Sequence, residues 1–259
     1  MKPAPFRYHR PRDVHEAVSV LHDLVERGTH PKVLAGGQSL LPVMSMRLAS
    51  PDHIVDINAV DGLDEITVSA DAVRIGALVR HRQLERHDAA AAVLPLLRET
   101  LQQVAHPTIR NRGTTVGSLC HADPSAEFPV VLALLGGHLV AASVRGERQV
   151  PASELFVGPL ETSLAEDELA VAAVFPTLPP GTGGAMVEVA RRHGDYAMCG
   201  VVAAVSLDDV GRVGRVRAGY LSAGESPAPL DLSAPVAGSS VEDADWAAVG
   251  ALARELVPT

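Results

Sequence analysis

Apolar residues recur at helical spacing near the amino terminus, where Val14, Ala17, Val18, Leu21 and Val25 share one face of a helix over Pro11–Arg27, with Gly28 as its stop. The pattern then shortens. Lys32–Ala35 reads as a strand, Gln38–Leu48 as an apolar helix and His53–Ile57 as a second strand, together a small parallel βαβ unit. Glu65–Ser69 and Val73–Ile75 make a hairpin around Ala70-Asp71-Ala72. Gln83–Val104 is helical, with Leu94, Leu97, Leu101 and Val104 in phase and a kink or split at Pro95. From His106-Pro107 to Pro124 the periodicity is lost. Ser125–Leu135 is an apolar helix closed by Gly136-Gly137, and His138–Val144 and Glu168–Phe175 are strands of an antiparallel sheet. Pro176–Gly184 interrupts all regular structure and marks a domain boundary. Beyond it, Ala185–Arg191, Cys199–Leu207 and Val213–Ser222 suggest a three-stranded antiparallel sheet. A last helix, Val241–Leu256, has Ala244, Val249, Leu252 and Leu256 on its apolar side.

Composition narrows the function classes. The 259 residues are 47% apolar and 20% charged, enough to bury the core of one large or two ordinary domains. No long uncharged apolar run and no apolar signal region follow Met1, so a cytoplasmic protein without a membrane span is expected. A net charge of −9 without a long basic run argues against nucleic-acid binding. Cys120 and Cys199 lack C-x-x-C spacing, so the chain itself holds neither an iron–sulfur cluster nor a cysteine-ligated zinc, and both read as buried free thiols. His81, His87, His106, His121, His138 and His193 lack metal-motif spacing, and Ser45 and Ser118 are outside any nucleophile elbow. No catalytic residue and no metal ligand is assigned. Asp64-Glu65 and Glu166-Asp167-Glu168 read as solvated turn charges.

Two stretches carry candidate chemistry. In Lys32–Leu48 the Gly36-Gly37 pair lies at the carboxyl end of a strand, where backbone amides can face an anion. His106–Pro124 is rich in donors, with Arg110, Asn111, Arg112, Thr114, Thr115 and Ser118 around Gly113 and Gly117. Two such loops point to a diphosphate held between them.

A-G-G-Q-S-L at Ala35–Leu40, I-R-N-R-G-T at Ile109–Thr114, H-A-D-P-S-A-E at His121–Glu127 and A-R-R-H-G-D-Y-A at Ala190–Ala197 occur in one order along nearly the whole chain. With these motifs the sequence resembles the FAD-binding medium subunit of the molybdenum hydroxylases, the carbon monoxide dehydrogenase and xanthine dehydrogenase family. The resemblance implies an α+β, FAD-binding fold of the vanillyl-alcohol oxidase type, with a small βαβ lobe, a larger antiparallel-sheet lobe, and a C-terminal domain of a three-stranded sheet and helix. The implied boundaries are 1–176 for the FAD-binding domain, with lobes of about 1–57 and 58–176, and 185–259 for the C-terminal domain. It implies that Ala35, Gly36, Gly37, Gln38, Ser39 and Leu40 form one jaw on the FAD pyrophosphate, and Ile109, Gly113, Thr114, Gly117 and Ser118 the other. Asp123 is implied at the ribityl or phosphate region, Lys32 near the adenosine, and Asp195 and Tyr196 near the isoalloxazine.

The implied function is transfer of electrons from [2Fe-2S] clusters on a small subunit, fed by a molybdopterin-containing large subunit, to an external acceptor. Two other readings stay open: a stand-alone FAD-dependent small-molecule oxidase or dehydrogenase, and a flavin-free binding or assembly protein of the same fold. The sequence departs from the family at two places. Val116 occupies a position where the family has glycine, and a glycine with positive φ or touching phosphate would make valine cost about 1 kcal/mol or more. The family also continues past the last helix, whereas this sequence stops at Pro258-Thr259, as expected of a shortened chain or a reduced docking surface.

Overall fold

The computed structural model describes residues 2–224 and 226–257; Pro258 and Thr259 lie outside the described residues. A parallel sheet opens the chain, with β1 (Arg7–His9), β2 (Lys32–Leu34) and β3 (His53–Asp56) in the order β1-β3-β2. Hydrophobic pattern predicts only the last two, because Arg7–His9 is too short and too polar to show alternation. The first connection is α1 (Val14–Glu26), started by the Asp13 carboxylate, which accepts from the Glu16 amide at 2.8 Å. Its buried face, Ala17, Val18, Leu21 and Leu24, packs between the small sheet and the large one. The second connection, α2 (Leu40–Ser45), is shorter than the expected Gln38–Leu48: a turn precedes it, and Arg47 at φ +59° stops it.

The large sheet is antiparallel. It contains β4 (Ile66–Val68), β5 (Ala72–Gly76), β6 (His138–Ser143), β7 (Gly146–Pro151) and β10 (Leu169–Pro176), in the order β4-β5-β10-β6-β7. Between β7 and β10 lie the short helix α9 (Ala152–Leu155) and a small hairpin, β8 (Phe156–Gly158) with β9 (Glu161–Thr162). The helix expected over Gln83–Val104 is three: α3 (His81–Glu85), α4 (Asp88–Val93) and α5 (Pro95–Gln103). Pro95 does split it, as the first residue of α5, and the His87 ring caps α4 by accepting from the Ala90 amide at 3.1 Å. The segment expected to be irregular is also helical, in α6 (Pro107–Arg110) and α7 (Thr115–His121). Gly113 and Gly117 hide that periodicity, while Val116 and Leu119, three apart, bury one face of α7. Apolar on all sides, α8 (Glu127–Leu135) is sandwiched between the large sheet and the C-terminal sheet.

The C-terminal sheet has four strands rather than three: β11 (Thr182–Val189), β12 (Cys199–Leu207), β13 (Val213–Leu221) and β14 (Leu230–Asp231), all antiparallel. A two-residue strand leaves no alternation to detect. Regular structure is broken only over 177–181, since β10 includes Pro176 and β11 starts at Thr182 with Gly183 and Gly184 inside it. Against this sheet lies α10 (Trp246–Leu256), which begins after Asp245, whose carboxylate accepts from the Ala248 amide. Of the predicted apolar side, Ala244, Val249 and Leu252 pack on the core under α10 together with the buried Ala253, while Leu256 is 45% exposed.

One core runs from α1 through the large sheet and α8 to Met186, Ala197, Val202 and Leu221 of the C-terminal part. A second fills the space under α10, with Val213, Val216, Ala218, Leu232 and Val236. Two expectations about side chains fail. Cys199 is exposed, because it precedes the inward-facing Gly200 and strand alternation turns it outward. Asp167 is buried, 7% exposed, and its two oxygens take the Arg145 guanidinium with His22 at 3.3 Å. Glu168 pairs with Arg148 in the same turn. The Arg145 hydrogen bonds hold the Asp167 carboxyl down to about 2 against its burial.

Candidate functional site

The two glycine loops meet. Gly36 is buried against the backbone of the second loop, so that a Cβ there would overlap the Arg112 carbonyl oxygen and come within 2.8 Å of Gly113 Cα. Gly37 turns the chain at φ +71°, a conformation open to glycine, and its carbonyl accepts from the Leu41 amide at 3.1 Å to start α2. Gln38 folds back to donate to the Gly36 carbonyl at 3.2 Å. Among the described residues, the amides of Gly36, Gly37, Gln38, Ser39 and Leu40 have no protein acceptor. Successive free donors in a glycine turn are the material of anion-binding concavities. Lys32 stands apart from it, exposed at the other end of β2.

The second loop is held from below. Ile109 accepts from the Gly113 amide at 2.7 Å, and His81 donates its backbone amide to the Gly113 carbonyl at 2.9 Å. Thr114 caps α7 by accepting from the Gly117 amide at 3.0 Å, and a Cβ on Gly117 would strike that hydroxyl at 2.6 Å. Thr115 is fully buried, 3.3 Å from the His81 ring, which stacks on Phe128. Burial drives the His81 pKa down to about 4, so the ring is neutral at pH 7. Arg110 is no ligand donor. It is buried, bonded to the Val104 and Ala105 carbonyls at 2.9 Å and to Glu85 at 3.2 Å, and it fastens the end of α5. Val116 is 2% exposed, faces the core, and is not among the residues with positive φ. The strain that valine would bring in place of glycine is therefore absent. Ser118 lies on α7, its amide bonded to the Thr114 carbonyl.

A second group gathers at the far end of α7. Asp123 accepts from the Ser125 amide at 2.8 Å. Ser222 clamps this turn to the Arg191–Met198 loop, through its amide to the Pro124 carbonyl (2.9 Å) and its hydroxyl to the Ala197 carbonyl (2.7 Å). Asp195 and Tyr196 are exposed in that loop; partial desolvation, then Asp123 and Glu127, raise the Tyr196 pKa. Sequence reasoning missed four participants. Glu127, the first residue of α8, is pushed up to about 7 by burial and then by Glu188 and Asp123. One Glu188 carboxyl oxygen is buried with no partner among the described residues. Asn58 and Arg80 bridge the two glycine loops. Of these only Glu127 fell within a quoted motif; Asn58 and Arg80 follow strands in unremarkable sequence.

The fold and these loops define an α+β protein in which two glycine loops meet, one of them carrying a run of unpaired amides. Comparison with known proteins gives the family. Residues 4–178 match the family described as the FAD binding domain in molybdopterin dehydrogenase, and the chain belongs to it. It is 43% identical over 226 residues to the alpha subunit of the 6-hydroxypseudooxynicotine dehydrogenase complex of Paenarthrobacter nicotinovorans, covering 87% of this chain and 75% of that one. To the carbon monoxide dehydrogenase medium chain of Hydrogenophaga pseudoflava it is 39% identical over 200 residues, 77% of this chain and 69% of the other. The crystal structure of quinoline 2-oxidoreductase from Pseudomonas putida 86 superposes with a TM-score of 0.90 at 34% identity, covering 99% of this chain and 88% of that one.

The chain is thus an FAD-binding oxidoreductase component. Among the described residues no helix is long and apolar enough to cross a membrane, and no group of three His, Cys, Asp or Glu is placed to hold a metal ion.

Proposed function

We propose that this protein is the FAD-binding electron-transfer subunit of a cytoplasmic, heteromeric molybdenum hydroxylase. Its partners are a molybdopterin-containing large subunit and a [2Fe-2S] small subunit, and electrons leave for an external acceptor. When bound, FAD supplies a carrier that takes up electrons singly and releases them in pairs. The observation that carries this reading is the meeting of the two loops at Gly36 and Arg112-Gly113, with five free amides on one side. The relatives, designated as a dehydrogenase complex subunit and a medium chain, support the assignment to a complex.

In this reading Ala35–Leu40 hold the pyrophosphate through backbone amides and the Ser39 hydroxyl, opposed by Ile109, Gly113, Thr114, Gly117 and Ser118. Lys32 serves the adenosine side, and Asp123, Asp195 and Tyr196 the ring side. The architecture is of the vanillyl-alcohol oxidase type, with lobes 1–57 and 58–176 and a C-terminal domain at 185–259. The test is purification alone and together with the two partner subunits. A yellow protein carrying FAD rather than FMN, recovered in one complex with molybdopterin and cluster subunits, is expected. A colourless chain that resists reconstitution overturns the flavin assignment. Turnover of a substrate at an enzymatic rate by the isolated chain overturns the relay.

A further inference from the structure

A chain of hydrogen bonds runs from the first strand to both jaws. The Tyr8 hydroxyl donates to Asp56 Oδ2 at 2.6 Å, and Asp56 Oδ1 accepts from the Asn58 backbone amide at 2.9 Å and from Asn58 Nδ2 at 2.6 Å. The same Nδ2 donates to the Ala35 carbonyl at 2.9 Å, in the first loop. On the other side, Arg80 Nη2 donates to Asn58 Oδ1 at 2.5 Å, and Arg80 Nη1 donates to the Arg112 carbonyl at 2.9 Å, in the second loop. Surroundings fix the Asn58 amide in one orientation. Its NH₂ faces a carboxylate and a carbonyl, its oxygen faces a guanidinium, and a flipped amide would lose every one of these bonds.

The loops otherwise touch only by packing. Among the described residues no backbone hydrogen bond joins 34–40 directly to 109–118, and Gly36 meets Arg112-Gly113 through van der Waals contact. Asn58 and Arg80 therefore make the polar connection between the jaws. We propose that Asn58 and Arg80 are positioning residues that fix the spacing of the two cofactor-binding loops. This rests on the reading of those loops as the FAD clamp. A ligand held by both loops binds more weakly when it must first order them, and a preset spacing removes that cost. The guanidinium suits the task because its planar fork serves two acceptors at once, which a lysine ammonium on a single stem does not reproduce in fixed geometry. Asp56 acts one step back, by orienting Asn58.

The experiment is titration of FAD into apo full-length chain, wild type and variants, with apo thermal unfolding as a separate readout. Arg80→Met and Asn58→Ala are each expected to raise the FAD Kd about tenfold or more, as for loss of a hydrogen bond to a charged group. Arg80→Lys should recover part of the loss. The double variant should bind no more weakly than the worse single one, because the connection is broken once in each. Asn58→Leu, close in size and uncharged, removes the donors and the acceptor without adding a charge beside Asp56, so it should show the same loss, with apo unfolding reporting that it folds. If wild type binds no FAD, the functional reading fails. If wild type binds and these variants bind within twofold of it, or if the single effects add in the double variant, the positioning role is wrong.

Discussion

Gly36→Ala isolates the contact between the jaws. The backbone of Gly36 is outside the left-handed region, so alanine brings no conformational strain of its own. Its methyl carbon, however, would overlap the Arg112 carbonyl oxygen and lie 2.8 Å from Gly113 Cα. Carbon atoms at rest approach to roughly 3.5–4 Å, so one loop must retreat by about 0.7 Å or more, and both obstacles are backbone that no rotamer change can move. Overpacking of this kind costs about 1–3 kcal/mol. In the proposed clamp FAD binding requires the jaws at their native separation, so the same amount is lost from affinity, about 5- to 150-fold in Kd at roughly 1.4 kcal/mol per tenfold. Gly28→Ala is the control. Gly28 sits at φ +74° with nothing within 4 Å of an added Cβ, so it should lower stability by about 1–2 kcal/mol and leave the FAD Kd unchanged. Fluorescence titration of FAD against apo protein measures the binding, and thermal unfolding of the apo form measures the stability. A Gly36→Ala chain that binds FAD as tightly as wild type would refute the juxtaposition of the loops at the cofactor.

Two further predictions concern titration. Arg145 and His22 lower the Asp167 pKa from 3.8 to about 2, so its contribution is fully present above pH 4 and disappears as pH falls through 2. Asp167→Asn should destabilise by about 1–2 kcal/mol at pH 7, with the deficit shrinking between pH 4 and pH 2 in denaturant titrations; a pH-independent deficit would contradict the ion-pair account. Glu127 is raised from 4.5 to about 7, so the folded state retains a proton that the unfolded state releases, and apo stability falls as pH rises from 4.5 through 7. Glu127→Gln should remove that slope, leaving the variant about 2–3 kcal/mol more stable relative to wild type at pH 8 than at pH 4; parallel pH profiles would show that Glu127 ionises normally.

Local pattern was enough for the elements that bury one periodic face. Val14–Val25 repeats at helical spacing, Ser125–Leu135 is apolar throughout, and Cys199–Leu207 and Val213–Ser222 bear strand-forming residues between turns, so each appears as a helix or strand near its predicted place. It failed where an element is too short to show a period, as in Arg7–His9 and Leu230–Asp231, or where glycines interrupt it, as in Thr115–His121. Four quoted motifs in order were also enough to point to the family, because backbone-exposing glycines and flanking donors are local in sequence.

Tertiary structure alone decided which donors are available. Arg110 and Arg112 are two residues apart in the same donor-rich loop, yet the side chain of one is buried on helix-end carbonyls and Glu85, while the other is held through its backbone, its amide on the Ile109 carbonyl and its carbonyl on Arg80. Val116 was the residue that set this loop apart from its family, and packing turns it into the core. Asn58 and Arg80 carry no motif, since their importance comes from distant partners, Ala35 and Arg112, which only folding brings into reach. The sequence by itself determined where the two glycine loops fall; their contact, their free donors, their spacing and the bridge between them depend on long-range packing, which no local pattern encodes.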